Sequence, residues 1–129
     1  RLALITAVAF AAIIYLLSAV LARPIVNAFN RDNDPLLTSI AADGLYLYFI
    51  GFIFAGINIV TSVYFGGIDM PKQAFALSFL RGFLLVIPAA FALSALFGMR
   101  GAWLSFPAAE FLTTSVALCF IFRERRKNR

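Results

Sequence analysis

The sequence predicts an all-α integral membrane protein with four transmembrane helices and a short amphipathic outer loop. Three observations carry that expectation. Leu2–Ala22, Asp43–Phe65, Ala74–Leu96 and Ala102–Phe122 are four apolar stretches, each close to the ~20 residues that cross a hydrocarbon core of roughly 30 Å. The hydrophobic fraction is 63% and mean hydropathy is +0.94, while 13% of residues are charged. That is about half the charge of a soluble domain, too little to solvate so much apolar surface. Inside lipid every backbone N–H and C=O must bond within its own segment, so the stretches are expected as helices. All four are longer than a signal-peptide core of about 7–15 residues.

The first stretch, Leu2–Ala22, begins directly after Arg1 with no initiator methionine, which reads as a fragment of a longer chain. The loop Arg23–Ala42 is expected to form two short amphipathic helices at the outer interface. Ile25, Val26 and Phe29 share one helical face, as do Leu36, Leu37 and Ile40. Between them, Asn30–Pro35 is a turn cluster in which Asp34 and Pro35 form an N-cap followed by a first-turn proline. The ligand spacing of a calcium-binding EF-hand is absent, so Asp32 and Asp34 are read as solvated capping groups.

Lipid supplies no hydrophobic drive for helices to associate, so small residues mark packing faces. The second stretch has Gly51, Ala55 and Ser62 on one face, with Asn58 among them; the third has Ala74, Ser78 and Gly82. Pro88 and Pro107 each remove a backbone donor and are expected to kink their helices. In the fourth stretch Cys119 is expected as a small buried hydrophobe.

The net charge of +5 is concentrated in the tail Arg123–Arg129. A basic run flanking a span reads as a membrane anchor, with membrane lipids rather than nucleic acid as its partner. With that tail cytoplasmic, Arg1, Lys72, Arg123, Arg125, Arg126, Lys127 and Arg129 lie inside; only Arg23, Arg31 and Arg100 lie outside. Tyr46, Tyr48 and Trp103 then fall at the outer interface and Tyr64 at the inner one, as an aromatic belt requires. The chain has no histidine and one cysteine, which excludes histidine metal sites, thiol pairs and Cys–His nucleophiles. Neither catalytic residues nor a cofactor or metal is expected.

The informative polar groups are Asn58, Arg81 and Glu110, each inside a span. A charge at mid-bilayer costs at least ~2.5–3.5 kcal/mol, so each is a functional candidate. At ~1.5 Å of rise per residue they lie about 12, 13 and 18 Å from the inner ends, within one layer. The third and fourth stretches are joined by a tight turn and should be antiparallel neighbours, and an arginine side chain spans the remaining ~5 Å between Arg81 and Glu110. Two readings stand: a structural pair, or Arg81 merely reaching the headgroups, against Glu110 facing water and carrying a cation. Asn58, Thr61 and Ser62 make a further small polar face.

The runs Gly56–Phe65 and Gly66-Gly67-Ile68-Asp69-Met70-Pro71-Lys72, then Leu80-Arg81-Gly82 with Pro88, then Gly101–Glu110 follow one another in an order that resembles a known family. Together they look like the C-terminal end of a bacterial multidrug and toxic compound extrusion (MATE) transporter. The Phe29-Asn30-Arg31-Asp32 region is similar to the outer loop before that family's tenth helix. The resemblance covers nearly the whole chain and implies helices nine to twelve of a twelve-helix, two-lobe antiporter in the bacterial inner membrane. It implies export of cationic or amphipathic small molecules coupled to Na⁺ or H⁺, with further N-terminal helices of the same transporter as partners. The pathway candidates are then Asn58, Thr61, Ser62, Arg81 and Glu110. One departure stands out: some branches place a carboxylate in the tenth helix, where Tyr46–Phe65 has no acid.

Three other readings remain open from the residues. Flippases of lipid-linked oligosaccharides hold pyrophosphate with several cationic groups, whereas the spans offer Arg81 alone. A self-contained dimeric four-helix transporter relies on a carboxylate in its first helix, and Leu2–Ala22 has none. A membrane scaffold with no pathway needs neither.

Overall fold

The computed structural model describes residues 2–32 and 34–127, which are all-helical with no strand among them. Helix α1 (Leu2–Phe29) is followed by α2 (Pro35–Phe49) and α3 (Gly51–Gly67), interrupted only at Ile50. The third span consists of α4 (Pro71–Phe79), a π-turn (Leu80–Leu84) and α5 (Val86–Phe97); α6 (Met99–Lys127) completes the bundle. The four spans implied by hydropathy are present, and each is long and apolar enough to cross a membrane.

Every span is longer than its apolar stretch. The expected interfacial helices are instead the far ends of α1 and α2, each running on in the same helix as residues of the apolar stretch beside it. Arg23 and Pro24 do not stop α1, because Ala22 just before them and Val26 just after them are buried where α1 packs on α2 and α3. Asn30 closes the hairpin. Its buried side chain donates to the Asp34 carbonyl (2.8 Å) and the Thr38 hydroxyl (2.9 Å). Asp34 then caps α2 by accepting from the Leu36 N–H at 2.8 Å, with Pro35 in the first turn. Asp43, expected to open the second helix, lies eight residues inside it. It is level with the next turn along the bundle, since Arg100 reaches it at 3.3 Å. The α1–α2 hairpin thus stands about 12 Å beyond the α5–α6 turn. That turn is made at Gly98, whose φ of 60° favours a residue without a Cβ.

Packing follows a simple plan. Helix α1 touches only α2 and α3 among the described elements, and α5 packs chiefly on α6. The rod α2–α3 and α6 run in the same direction, side by side. Gly44 meets Trp103, Gly51 meets Phe106 and Pro107, Asn58 meets Glu110 and Thr114, and Phe65 meets Phe120. These contacts step by seven on α2–α3 and by uneven intervals, beginning with three or four residues from Trp103 to Phe106 and Pro107, on α6. A Cβ on Gly51 would sit 2.6 Å from the Phe106 ring, so this glycine sets how near the helices come. Below the polar pair, Phe65, Leu77 and Ala117 form the buried apolar core, flanked by Met70, Ala74, Val116, Phe120 and Ile121.

Three smaller expectations are corrected. Ser78 and Gly82 are exposed, and Leu77 beside them is the buried residue. The inward face of α4 and the π-turn that follows is therefore Ala74, Leu77 and Arg81, the last two one residue off the small-residue stripe. Cys119 is exposed, because Ala117 and Phe120 take the inward positions of that turn. The tail is helical to Lys127, and its last two residues, Asn128 and Arg129, like Arg1, lie outside the described residues.

Candidate functional site

The polar layer lies midway along the seam. Glu110 is 1% exposed and Asn58 is fully buried. The two oxygens of the Glu110 carboxylate have different partners. Asn58 Nδ2 donates to Oε2 at 2.7 Å, and Arg81 Nε lies 3.3 Å from Oε1. Asn58 Nδ2 also donates to the Glu110 carbonyl at 2.9 Å. One carboxylate therefore joins three spans: α3 through an amide, the third span through a guanidinium, and α6 by its own backbone.

Local structure explains each placement. Asn58 occupies the seam position seven residues after Gly51 and faces α6 directly. Glu110 stands three residues after Pro107, whose Cα faces Gly51 closely enough to bring Glu110 against α3. Arg81 lies in the π-turn, four residues after the buried Leu77 and so on the same face. Its side chain is 26% exposed, so the pair is sealed on the glutamate side and open on the arginine side. Burying two charges is tolerated when they neutralise each other and their remaining atoms are bonded; here both carboxylate oxygens are engaged.

The structure brings together Asn58, Arg81 and Glu110, which the depth count placed in one layer. It adds Thr114, which sequence reasoning missed. The Thr114 hydroxyl lies 3.1 Å from Asn58 Oδ1 and 2.9 Å from the Glu110 carbonyl, a single proton directed toward both acceptors. Its signal was available: it follows Glu110 by four residues and shares its helix face. Thr113, also buried, bonds its own helix at the Ala109 carbonyl (2.8 Å). Thr61 and Ser62 are not bonded to the layer. The Thr61 hydroxyl donates to Ile57 O at 2.8 Å, and Ser62 Oγ is buried with no partner among the described residues.

Among the described residues no three acids or cysteines are grouped to hold a metal ion. What the site offers chemically is a neutralised carboxylate whose cationic partner is carried on a separate, irregular helix. Comparison with protein-family models, curated proteins and solved structures found no match to this chain.

Proposed function

We propose that this chain is the C-terminal part of a secondary active efflux antiporter of the multidrug and toxic compound extrusion type. It would export cationic or amphipathic compounds from a bacterial cell against inward Na⁺ or H⁺ movement. The observation that carries the reading is the Glu110 carboxylate, buried in a membrane span and shared between Asn58 and Arg81. Ionisable groups within membrane spans are rare and mark ion and substrate pathways, which makes Glu110 a functional candidate. Antiporters of this kind move by rocking rigid pieces around a midplane site, and a carboxylate bridging three spans is placed to report such motion. Lys72, Arg123 and Arg126 are exposed at one end of the bundle, which supports a cytoplasmic tail. The family resemblance of the sequence supplies the substrate class and the second lobe.

The test is ethidium transport in proteoliposomes under an imposed Na⁺ or H⁺ gradient. The full-length protein is expected to move ethidium with the gradient, and Glu110→Gln to slow it by about tenfold or more. The 129 residues alone are expected to move none. Gradient-independent behaviour of the full-length protein would remove the antiporter reading, and transport by this chain alone would restore the four-helix transporter.

A further inference from the structure

The third span is held at two places whose registers disagree. At one end Leu77 is buried with Phe65 and Ala117, and Arg81 meets Glu110. At the other, Leu93 lies against Gly101 so closely that any Cβ there would overlap the Leu93 carbonyl. In an unbroken α-helix Arg81 and Leu93, twelve residues apart, would point about 120° away from each other. The π-turn absorbs one extra residue and brings them within about 20°. It is closed by Leu85 N–H on the Leu80 carbonyl at 3.0 Å. Pro88, four residues after Leu84, has no N–H to return to the Leu84 carbonyl. Neither the π-turn nor α5 contains a buried residue.

At the tail end a cavity of about 240 Å³ is lined by Phe65, Met70, Gln73, Phe120, Arg123 and Glu124. Phe65 also belongs to the core, so the core separates this cavity from the polar layer. Ser62, whose buried hydroxyl has no partner among the described residues, lies between the layer at Asn58 and the core at Phe65 on α3. We infer that the π-turn and Pro88 are a hinge on which α4 swings, withdrawing Leu77 from Phe65 and Ala117 and opening the polar layer to water from the tail end. The inference rests on the transport reading, for which it supplies the gate, yet it is tested without substrate.

The probe is Ser62→Cys in a Cys119→Ala background, challenged in nanodiscs with a membrane-impermeant cationic methanethiosulfonate. Slow modification is expected in the parent. Leu77→Ala should speed it by at least about tenfold, as the loss of a buried leucine's contacts implies. Deleting Gly82 restores an α-helix while keeping Arg81 and Leu93 aligned, and should abolish modification. Pro88→Ala, which returns the missing donor, should slow it and serves where the deletion does not fold. Unchanged rates in both hinge variants would overturn the hinge. A thiol at position 62 that stays unreactive even with Leu77→Ala would overturn the gate, and neither result depends on whether ethidium is transported.

Discussion

The seam between α2–α3 and α6 and the third span are built on opposite terms. In the most apolar stretch of α6, 39% of residues are buried, against 6% in the third span. The seam repeats every seventh residue on α2–α3 and is held by glycine-permitted approach, stacked Tyr48 and Phe106 rings at 4.5 Å, and direct hydrogen bonds. The third span contributes Leu77 and Ala74 to the core and Arg81 to the layer, changes register at its π-turn and rests Leu93 against Gly101, with its other residues half-buried or exposed. A membrane bundle can thus combine a pair of helices that bury many side chains in each other with a neighbour that packs closely on α3 and α6 yet buries few of its own. The difference lies in side-chain volume and backbone regularity, since both regions are similarly apolar.

The contrast breaks most completely if the shared carboxylate is removed. Glu110→Ala leaves the Arg81 charge without its partner and the Asn58 amide with only the backbone carbonyl of position 110, and a loss of about 3–5 kcal/mol is expected in reversible unfolding in bicelles. Next comes the seam itself. Gly51→Val drives a branched side chain into the Phe106 ring and should cost about 1–3 kcal/mol by the same assay. The matching change on the third span should not be destabilising. A Cβ at Gly82 meets nothing within 4 Å, so Gly82→Ala should be neutral or stabilising by up to ~1 kcal/mol through helix propensity alone. Smallest of all is the outer pair. Asp43 and Arg100 are 52% and 75% exposed, and Asp43→Asn should change stability by about 0–1 kcal/mol, less in high salt.

Much of this contrast was legible in the residues. Long apolar runs located all four spans because lipid leaves the backbone no other solution. Helical rise alone put Asn58, Arg81 and Glu110 at one depth, and Asp34-Pro35 announced the start of α2. Hydropathy could not set the helix ends, because it reports which solvent a residue tolerates and not where the hydrogen-bond ladder stops. So α1 runs on through Arg23 and Pro24, and α2 begins eight residues before Asp43. The Ala74–Ser78–Gly82 stripe misled because small residues permit contact without compelling it; the bulkier Leu77 fills the space. The π-turn has no local signature beyond Pro88, since it reconciles two tertiary contacts that are far apart in sequence. Thr114 was passed over because helical hydroxyls ordinarily bond their own backbone, as Thr61 and Thr113 do.

The most direct measurement is a double-mutant cycle on Arg81→Met and Glu110→Gln, read as unfolding free energy in a lipid bilayer mimetic. A favourable coupling of about 1–3 kcal/mol is expected if one carboxylate tethers the third span to the seam. Additive single mutants, with coupling indistinguishable from zero, would contradict that tether.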